Sequence, residues 1–517
     1  SGIPPPCWTR LPCTKLLRKV AAGCTIKSMP LHRPLNPATV SVEPSLGQAR
    51  AAQQIWALQG VRARLVVLRR ARHSIAANAV EIAQSVPCEQ PGALHRSVTD
   101  TLVSEVLPLV EACRFLEREA RWILAPQRLS THARPFWLRR VSAETTREPL
   151  GVVLIIAPAN YPLFLPGVQV LQALAAGNAV LWKPAAGGTA TAEALRGVLV
   201  QCGLDPALLQ LLDESPYAAV DAIAMRVDKV FLTGSAATGR EVLSQLAPQL
   251  TPAVMELSGC DAVFLLPGAR IDHAIAALTL GLRLNGSATC MAPRRLFLVG
   301  SHPEMVPALL DQLKTLPAVA LPADTQAQLA DLLVDARRSG GLLLIDGSME
   351  QLRFVVISRA TAKMRIAQCD IFAPVLCIFN VADVDAAVAA HARCPYALSA
   401  AIFGPEPEAR ALASRLPVGT VLINDLIVAT ADPRIAFGGR KSSGFGVTRG
   451  REGLLEMTAL KTVITQRSRD LRAYQPTTSG HQPFFAAYIE AVHGGNWVAR
   501  WKGLLRFLRA VTRLDRD

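Results

Sequence analysis

Three residues of this 517-residue chain are suited to covalent chemistry at a carbonyl. Cys290 ends the stretch Leu284-Asn285-Gly286-Ser287-Ala288-Thr289-Cys290, and Glu256 lies upstream in Met255-Glu256-Leu257-Ser258-Gly259. A thiolate attacks an electrophilic carbonyl far better than a hydroxyl does near neutral pH, and the thioester that follows must then be hydrolysed. A carboxylate able to activate water serves that second step. Further upstream, Pro158-Ala159-Asn160-Tyr161-Pro162 offers an amide that would hold a developing oxyanion together with the Cys290 N–H. Each such donor is worth about 3 kcal/mol at the transition state. Alone, the cysteine reads as a core thiol and the glutamate as a cap or ion-pair partner; their order along the chain favours a site.

The elements that must position them follow from local pattern. Asn285-Gly286-Ser287 after an apolar helix predicts a helix end and a turn presenting Cys290 to a cleft. Glu256 closes the apolar run Thr251-Pro252-Ala253-Val254-Met255, so its carboxyl is expected to be desolvated and raised toward the range of a useful base. No Gly-x-Gly-x-x-Gly fingerprint is present. Instead Thr233-Gly234-Ser235-Ala236-Ala237-Thr238-Gly239 follows the strand 230–232 and opens a helix, whose free N–H groups suit a pyrophosphate. Lys183, directly after a strand, is placed to donate to a ribose.

Around these points the chain alternates. Residues 45–124 read as helical, with Ile55, Leu58, Val61, Leu65 and Leu68, then Leu102, Val106, Leu109 and Val110, at three- and four-residue spacing. An extended arm is expected over 134–141. From 151 to 246, apolar strands at 151–157, 179–182, 208–212 and 229–232 are separated by helices, one of them stopped by Gly177-Asn178. This predicts a parallel, doubly wound sheet. A second α/β unit is expected over 259–427, closed by the Gly/Ser-rich segment 437–446. The fold class is therefore α/β with two doubly wound Rossmann-like domains. The expected division, in which the domain roles and a β bridging arm are what the family resemblance below implies, is a disordered lead-in at 1–44, a cofactor domain of 45–133 and 148–256, an arm of 134–147 and 447–470, a catalytic domain of 257–446, a linker at 471–495 and a basic amphipathic helix at 496–517.

Composition bounds the function classes. Half of the residues are apolar, yet no uninterrupted run of membrane-spanning length occurs. The formal charge of +15 gathers toward the two ends and into no nucleic-acid-binding motif, so no nucleic-acid partner is expected. Eleven cysteines are scattered without zinc-ligand spacing, which points to reduced thiols in the cytoplasm and to no metal. In the tail, Trp497, Trp501, Leu504, Leu505, Leu508 and Val511 share one helical face flanked by Arg500, Lys502, Arg506, Arg509 and Arg513. That is the composition of a helix lying at a membrane surface, or of one docked on the protein body or a partner.

Taken in order, the segments resemble the aldehyde dehydrogenase superfamily over about residues 50–468. The resemblance rests on Glu148-Pro149-Leu150-Gly151-Val152-Val153, Asn160-Tyr161-Pro162, Ala176-Gly177-Asn178-Ala179-Val180, Lys183-Pro184, Phe231-Leu232-Thr233-Gly234-Ser235, Glu256-Leu257-Ser258-Gly259, Cys290, Ile371-Phe372-Ala373-Pro374-Val375 and Phe437-Gly438-Gly439-Arg440-Lys441-Ser442-Ser443-Gly444. Asn424-Asp425 looks closest to the branch acting on medium- and long-chain or aromatic aldehydes. The resemblance implies that Cys290 attacks the aldehyde, Asn160 holds the oxyanion, and Glu256 activates the water that releases the acid. It implies NAD or NADP as cofactor, contacted by Lys183, Gly234, Ser235, Phe372, Asp370, Ala157 and Pro158, and a homodimer paired through the arm.

The chain departs from the family's pattern at several of these points. Lys183-Pro184-Ala185-Ala186 lacks the glutamate that grips the adenine ribose, which makes NADP plausible. Cys260 stands where the family has Lys after Glu-Leu-Gly-Gly, Ser287-Ala288 replaces a Gly-Gln pair, and Asp370 replaces a glutamate. Two other readings stay open: an acyl-thioester reductase, against which Glu256 argues, and a catalytically impaired scaffold.

Overall fold

The computed structural model describes residues 42–87, 96–468 and 474–514. Most of the expected lead-in, with Cys7, Cys13 and Cys24, lies outside the described residues, as do 471–473. The chain divides into two units, Ser1–Pro126 with Thr146–Lys461, and Gln127–Thr145 with Thr462–Asp517.

The larger unit contains both α/β sheets. The first has the strand order Gly444–Phe445, Ala253–Leu257, Lys229–Gly234, Val152–Ile156, Ala179–Lys183, Leu209–Leu211, all parallel except the short first strand. Val152–Ile156 and Ala179–Lys183 are buried along their whole length, as strands covered on both faces must be. The crossover helix Phe164–Ala176 ends where Gly177 takes φ 99°, a left-handed conformation that only glycine adopts freely. The second sheet runs Leu342–Gly347, Leu352–Ser358, Val375–Val381, Pro293–Val299, Asp261–Leu265, Ser399–Phe403, Thr420–Ile423, with helices such as Ile271–Arg283 and Ala323–Arg338 against it.

Helices Val42–Leu58, Val61–Ala77 and Leu107–Ile123 realise the periodic stretch expected near the N-terminus, and the first of them reaches three residues into the expected lead-in. One turn departs from regular geometry. Leu102–Val106 is a π-helix, a form that clusters at functional positions. Its Glu105 is fully buried, pairs with Arg96, and accepts the N–H groups of Leu163 and Phe164 at 2.7 and 2.8 Å. A charge placed there fixes the start of helix Phe164–Ala176 and with it the loop that carries Asn160.

Three expectations are corrected. The segment read as an extended arm at 134–141 contains a 3₁₀ turn, Phe136–Leu138, with Arg139 stacked over the exposed Phe136 ring; the strand begins only at Val141. The segment 447–470 is not all arm: Gly450–Glu456 is a helix whose Leu454, with the following Met457, enters the core of the first sheet. The segment 471–495 is not all linker, since Gln482–His493 is a helix. It continues from the 3₁₀ turn Ser479–His481, which Thr478 and His481 cap through reciprocal hydrogen bonds, and its Phe484 and Tyr488 meet Phe507 of the helix Trp497–Leu514. A capping box built on histidine escapes the usual search for Glu or Gln.

In the smaller unit these two helices form a hairpin. Glu490 pairs with Arg506 at 2.9 Å, and the helices approach so closely at Gly503 that a Cβ there would lie 2.4 Å from the Ala491 nitrogen. Among the described residues no helix is long and apolar enough to cross a membrane.

Candidate active site

Four strands of the first sheet bring six expected positions to one edge. Val152–Ile156 runs into Ala157 and Pro158, both buried, and then Asn160. Ala179–Lys183 ends on Lys183, Lys229–Gly234 on Gly234, and Ala253–Leu257 carries Glu256 opposite Thr233. All are C-terminal strand ends of neighbouring parallel strands, and the order changes direction between Val152–Ile156 and Lys229–Gly234. Ligands of open α/β sheets bind at such a switch point. Ser235 caps the helix Ala236–Leu246, its Oγ accepting the Thr238 N–H at 3.1 Å, so a positive helix end opens beside the sheet.

Cys290 arrives from the other sheet. Asp261 pairs with Pro293, so the residue lies just before a strand that begins next to the one leaving Glu256. The approach is tight at Gly259, where a Cβ would sit 2.7 Å from the Cys290 carbonyl oxygen. The expected turn before it is sharper than a simple helix end: Asn285, Gly286 and Ser287 take φ 55°, 58° and 66° in succession. Such backbone costs on the order of 1–3 kcal/mol per non-glycine residue and persists only where the surroundings over-determine it.

Arg294 supplies that constraint. Fully buried, it donates to Ser287 Oγ at 2.7 Å, to the Ser287 carbonyl at 2.6 Å and to the Ala373 carbonyl at 2.7 Å, tying the turn to the segment of Asp370 and Phe372. Two consecutive arginines in an apolar strand were the sequence signal for it. Arg294→Met is expected to destabilise the protein by about 3 kcal/mol or more, since it orphans buried acceptors and leaves Asp370 without its cation. Urea unfolding measures this; a midpoint unchanged from that of the parent protein would show that the turn holds itself.

Asn160 is buried. Its Nδ2 donates to the Ala288 carbonyl at 2.9 Å, and its own carbonyl accepts from Asn285 Nδ2 at 2.8 Å. Tyr161 OH meets Thr289 Oγ1 at 2.8 Å. These bonds lock the Asn160 loop to the Cys290 turn. Because an amide nitrogen carries two hydrogens, one N–H of Asn160 is left for another acceptor.

Glu256 is deeply buried. Thr448 Oγ1 donates to its Oε2 at 3.0 Å, while Oε1 is buried without a partner. Burial pushes the carboxyl up, opposed by the Arg449 charge and the Thr448 bond. Cys290 is partly buried and packs against Met291, Leu398 and Phe437. Burial raises its thiol well above the ordinary value, and the negative charges of Glu256, Asp261 and Asp370 raise it further against Arg449. Both causes favour the thiol over the thiolate. Of the other described cysteines none is in a disulfide, and Cys113, Cys260, Cys377 and Cys394 are buried.

The remaining expected contacts fit a dinucleotide. Asp370, bonded to Ser258, keeps Oδ1 buried without a partner, as a group awaiting a hydroxyl would. Phe372 is partly exposed. Lys183 is buried, which lowers its ammonium, against a pull from Glu214 and Asp213. Glu214 was invisible in the sequence as a site residue: it comes from the loop after Leu209–Leu211 and accepts Gly187 N at 2.9 Å, Thr189 N at 2.9 Å and Thr189 Oγ1 at 2.6 Å. It thus returns a carboxylate to the turn from which Ala185-Ala186 had removed one. Thr448 and Arg449 were missed too, because nothing periodic marks them and they fell in a segment read as arm.

The Gly/Ser-rich segment 437–446, expected to close the second sheet, instead crosses to the first. Gly444 pairs with Glu256 on an antiparallel edge, and Ser443 bonds Ser258 and Ala397 at 2.8 and 3.0 Å. The crossing holds the strand of Glu256 against the sheet that carries Cys290.

At the switch point of this parallel α/β fold lie a buried carboxylate and an amide, with a cysteine brought up from the second sheet. The model of the aldehyde dehydrogenase family matches residues 36–463, and the chain belongs to that family; it is an oxidoreductase acting on aldehydes. It is 29% identical over 414 residues to 4,4'-diapolycopene aldehyde oxidase of Methylomonas sp, covering 77% of each chain. Its fold is similar to that of the Mycobacterium tuberculosis aldehyde dehydrogenase complexed with NAD+, with TM-score 0.74 and 24% identity over 82% of this chain and 90% of that one. It is equally similar to that of the NADP-dependent glyceraldehyde-3-phosphate dehydrogenase from Bacillus halodurans C-125 complexed with NADP, with TM-score 0.74 and 24% identity over 83% and 91%.

Proposed function

We propose that this chain oxidises a hydrophobic aldehyde to its carboxylic acid through Cys290, with NAD or NADP. The observation that carries the reading is Glu256: one oxygen anchored by Thr448, the other bare, in the same buried site as a thiol. A base with a raised pKa and a free lone pair suits proton abstraction near neutral pH. Cys290 gives its proton to solvent, its sulfur bonds the carbonyl carbon, and the C=O π pair moves onto the oxygen as an oxyanion. The free N–H of Asn160 and the Cys290 N–H hold that charge. The nicotinamide cofactor, when bound, supplies the hydride acceptor that turns the adduct into a thioester. Glu256 Oε1 then takes a proton from a water that attacks the thioester carbon, the C–S bond breaks, and the acid leaves. An enzyme passing its acyl group to a thiol would have no use for that bare oxygen, which weighs against the thioester reductase.

A hydrophobic aldehyde is favoured by the substrate that the name of the Methylomonas relative states, 4,4'-diapolycopene aldehyde. Glu214 beside Lys183 favours NAD over NADP, since a carboxylate repels a ribose phosphate. The test follows nicotinamide reduction with NAD and NADP in parallel, against aldehydes of increasing chain length. Turnover that rises with chain length and vanishes in Cys290→Ala is expected; turnover surviving in that variant would sink the reading.

Two peripheral features extend the proposal. The strand Thr458–Gln466 ends a three-stranded sheet and exposes Leu460, Val463 and Ile464, an edge suited to pairing with its copy in a homodimer. Light scattering should give twice the chain mass, and a monomer at micromolar concentration would refute it. The helical hairpin exposes Trp497 (78%), Trp501 (58%), Leu504, Leu505 and Leu508, and its second helix has arginines and a lysine but no acid. That face suits an anionic bilayer surface. Sedimentation with phosphatidylserine-containing vesicles, but not with phosphatidylcholine alone, is the expected result; equal recovery in both supernatants would rule the contact out.

A further inference from the structure

Glu256 is deeply buried, and among the described residues no cation forms an ion pair with it. The positive charge that acts on it is that of Arg449, the residue after the threonine that anchors Glu256. Arg449 is itself deeply buried and holds φ 62°, a left-handed backbone that an arginine adopts only under constraint. Its Nη1 donates to the Thr430 carbonyl at 2.6 Å, its Nε is buried without a partner, and its guanidinium lies 4.6 Å from the Phe437 ring centroid and 5.7 Å from that of Phe164. Phe437 in turn packs in the cluster that Cys290 joins. A guanidinium stripped of solvent, held by one carbonyl and two ring faces, is stabilised mainly by the charges around it.

We propose that Arg449 is an electrostatic positioning residue of the active site, supplying the positive charge that compensates Glu256 and Cys290 where neither solvent nor a direct ion pair does. The inference rests on the roles given above to those two residues. The charged groups that face Cys290 are Glu256, Asp261, Asp370 and Arg449; Glu256 faces Arg449 across the Thr448 bond. Arg449 is the one cation in that set, and it acts on both partners in the same sense: it favours carboxylate over carboxylic acid and thiolate over thiol. Helix Leu107–Ile123, which lines the cavity beside Arg449, contributes only Pro108, Ala112, Phe115 and Leu116 there, so no acid from that side neutralises it.

The sign of the effect is fixed. Without the cation, Glu256 gains its proton at higher pH, so the acidic limb of deacylation-limited kcat moves up. Cys290 also loses its proton at higher pH, so its alkylation by iodoacetamide moves up as well, a readout that needs no turnover. In Arg449→Met and Arg449→Gln both limbs are expected to rise by about one pH unit. That corresponds to roughly a tenfold loss of rate at a fixed pH below the limb. Arg449→Lys, which keeps the charge, is expected to hold both limbs near those of the parent protein. Should Arg449→Met fail to fold, the Gln and Lys pair decides, because Gln retains a donor for the Thr430 carbonyl. Limbs unmoved in Arg449→Gln, or moved equally in Arg449→Lys, would overturn the inference. Activity surviving in Cys290→Ala would instead mean that the underlying reading had failed.

Discussion

Glu256→Gln is expected to complete one turnover per site and then stall. In the variant, Cys290 still attacks and a burst of reduced nicotinamide forms, but the thioester waits for a water that nothing deprotonates. Steady-state rate should fall about a thousandfold, the usual scale for losing a general base. Glutamine preserves the shape, and its carbonyl can still accept the Thr448 hydroxyl now bonded to Oε2. Two pH effects follow from the environment of the carboxyl. Burial raises Glu256, so in the parent protein deacylation grows as pH climbs through a value above the usual carboxylate range. The Glu256 charge also raises the Cys290 thiol. Removing that charge moves the thiol down, and Cys290 in the variant should react faster with iodoacetamide at neutral pH. Rapid-quench measurement of burst and steady state separates the outcomes. Undiminished turnover would place the base elsewhere, and absence of a burst would mean that Glu256 is needed before the thioester forms.

The second large effect is expected from Asn160→Ala, which should slow the burst itself by 10²–10³-fold, or about 3–4 kcal/mol. The amide is aimed by two bonds, from its Nδ2 to Ala288 and from Asn285 to its backbone carbonyl. The free N–H therefore sits at a fixed point beside the nucleophile's turn, already paid for by the fold. An interaction made only in the transition state lowers kcat and kcat/KM together and leaves cofactor affinity alone. Loss confined to KM would show that Asn160 binds the ground state instead.

Much of the frame was legible in the residues. Strands such as Val152–Ile156 and Ala179–Lys183 are uninterrupted apolar runs between helices, and Gly177 stops its helix where the pattern placed the stop. The helix Gln482–His493 was not legible, because the capping box of the 3₁₀ turn that leads into it is built on His481 and its apolar face meets the helix Trp497–Leu514. The π-turn at Leu102–Val106 was hidden for a related reason: periodicity registers a continuing helix and is blind to one inserted residue.

The sequence by itself determined that a thiol, a carboxylate and an amide would lie at strand and helix ends of an α/β fold, since those positions follow from local pattern. Only the tertiary structure decided what each group is chemically. Whether Glu256 has a bare oxygen, whether Cys290 rests as a thiol, and whether a carboxylate stands near Lys183 depend on Thr448, Arg449, Asp370 and Glu214, which come from other strands and loops. Desolvation and charge act through space and fall off over a few ångströms, so residues far apart along the chain set them, and no local pattern carries that information.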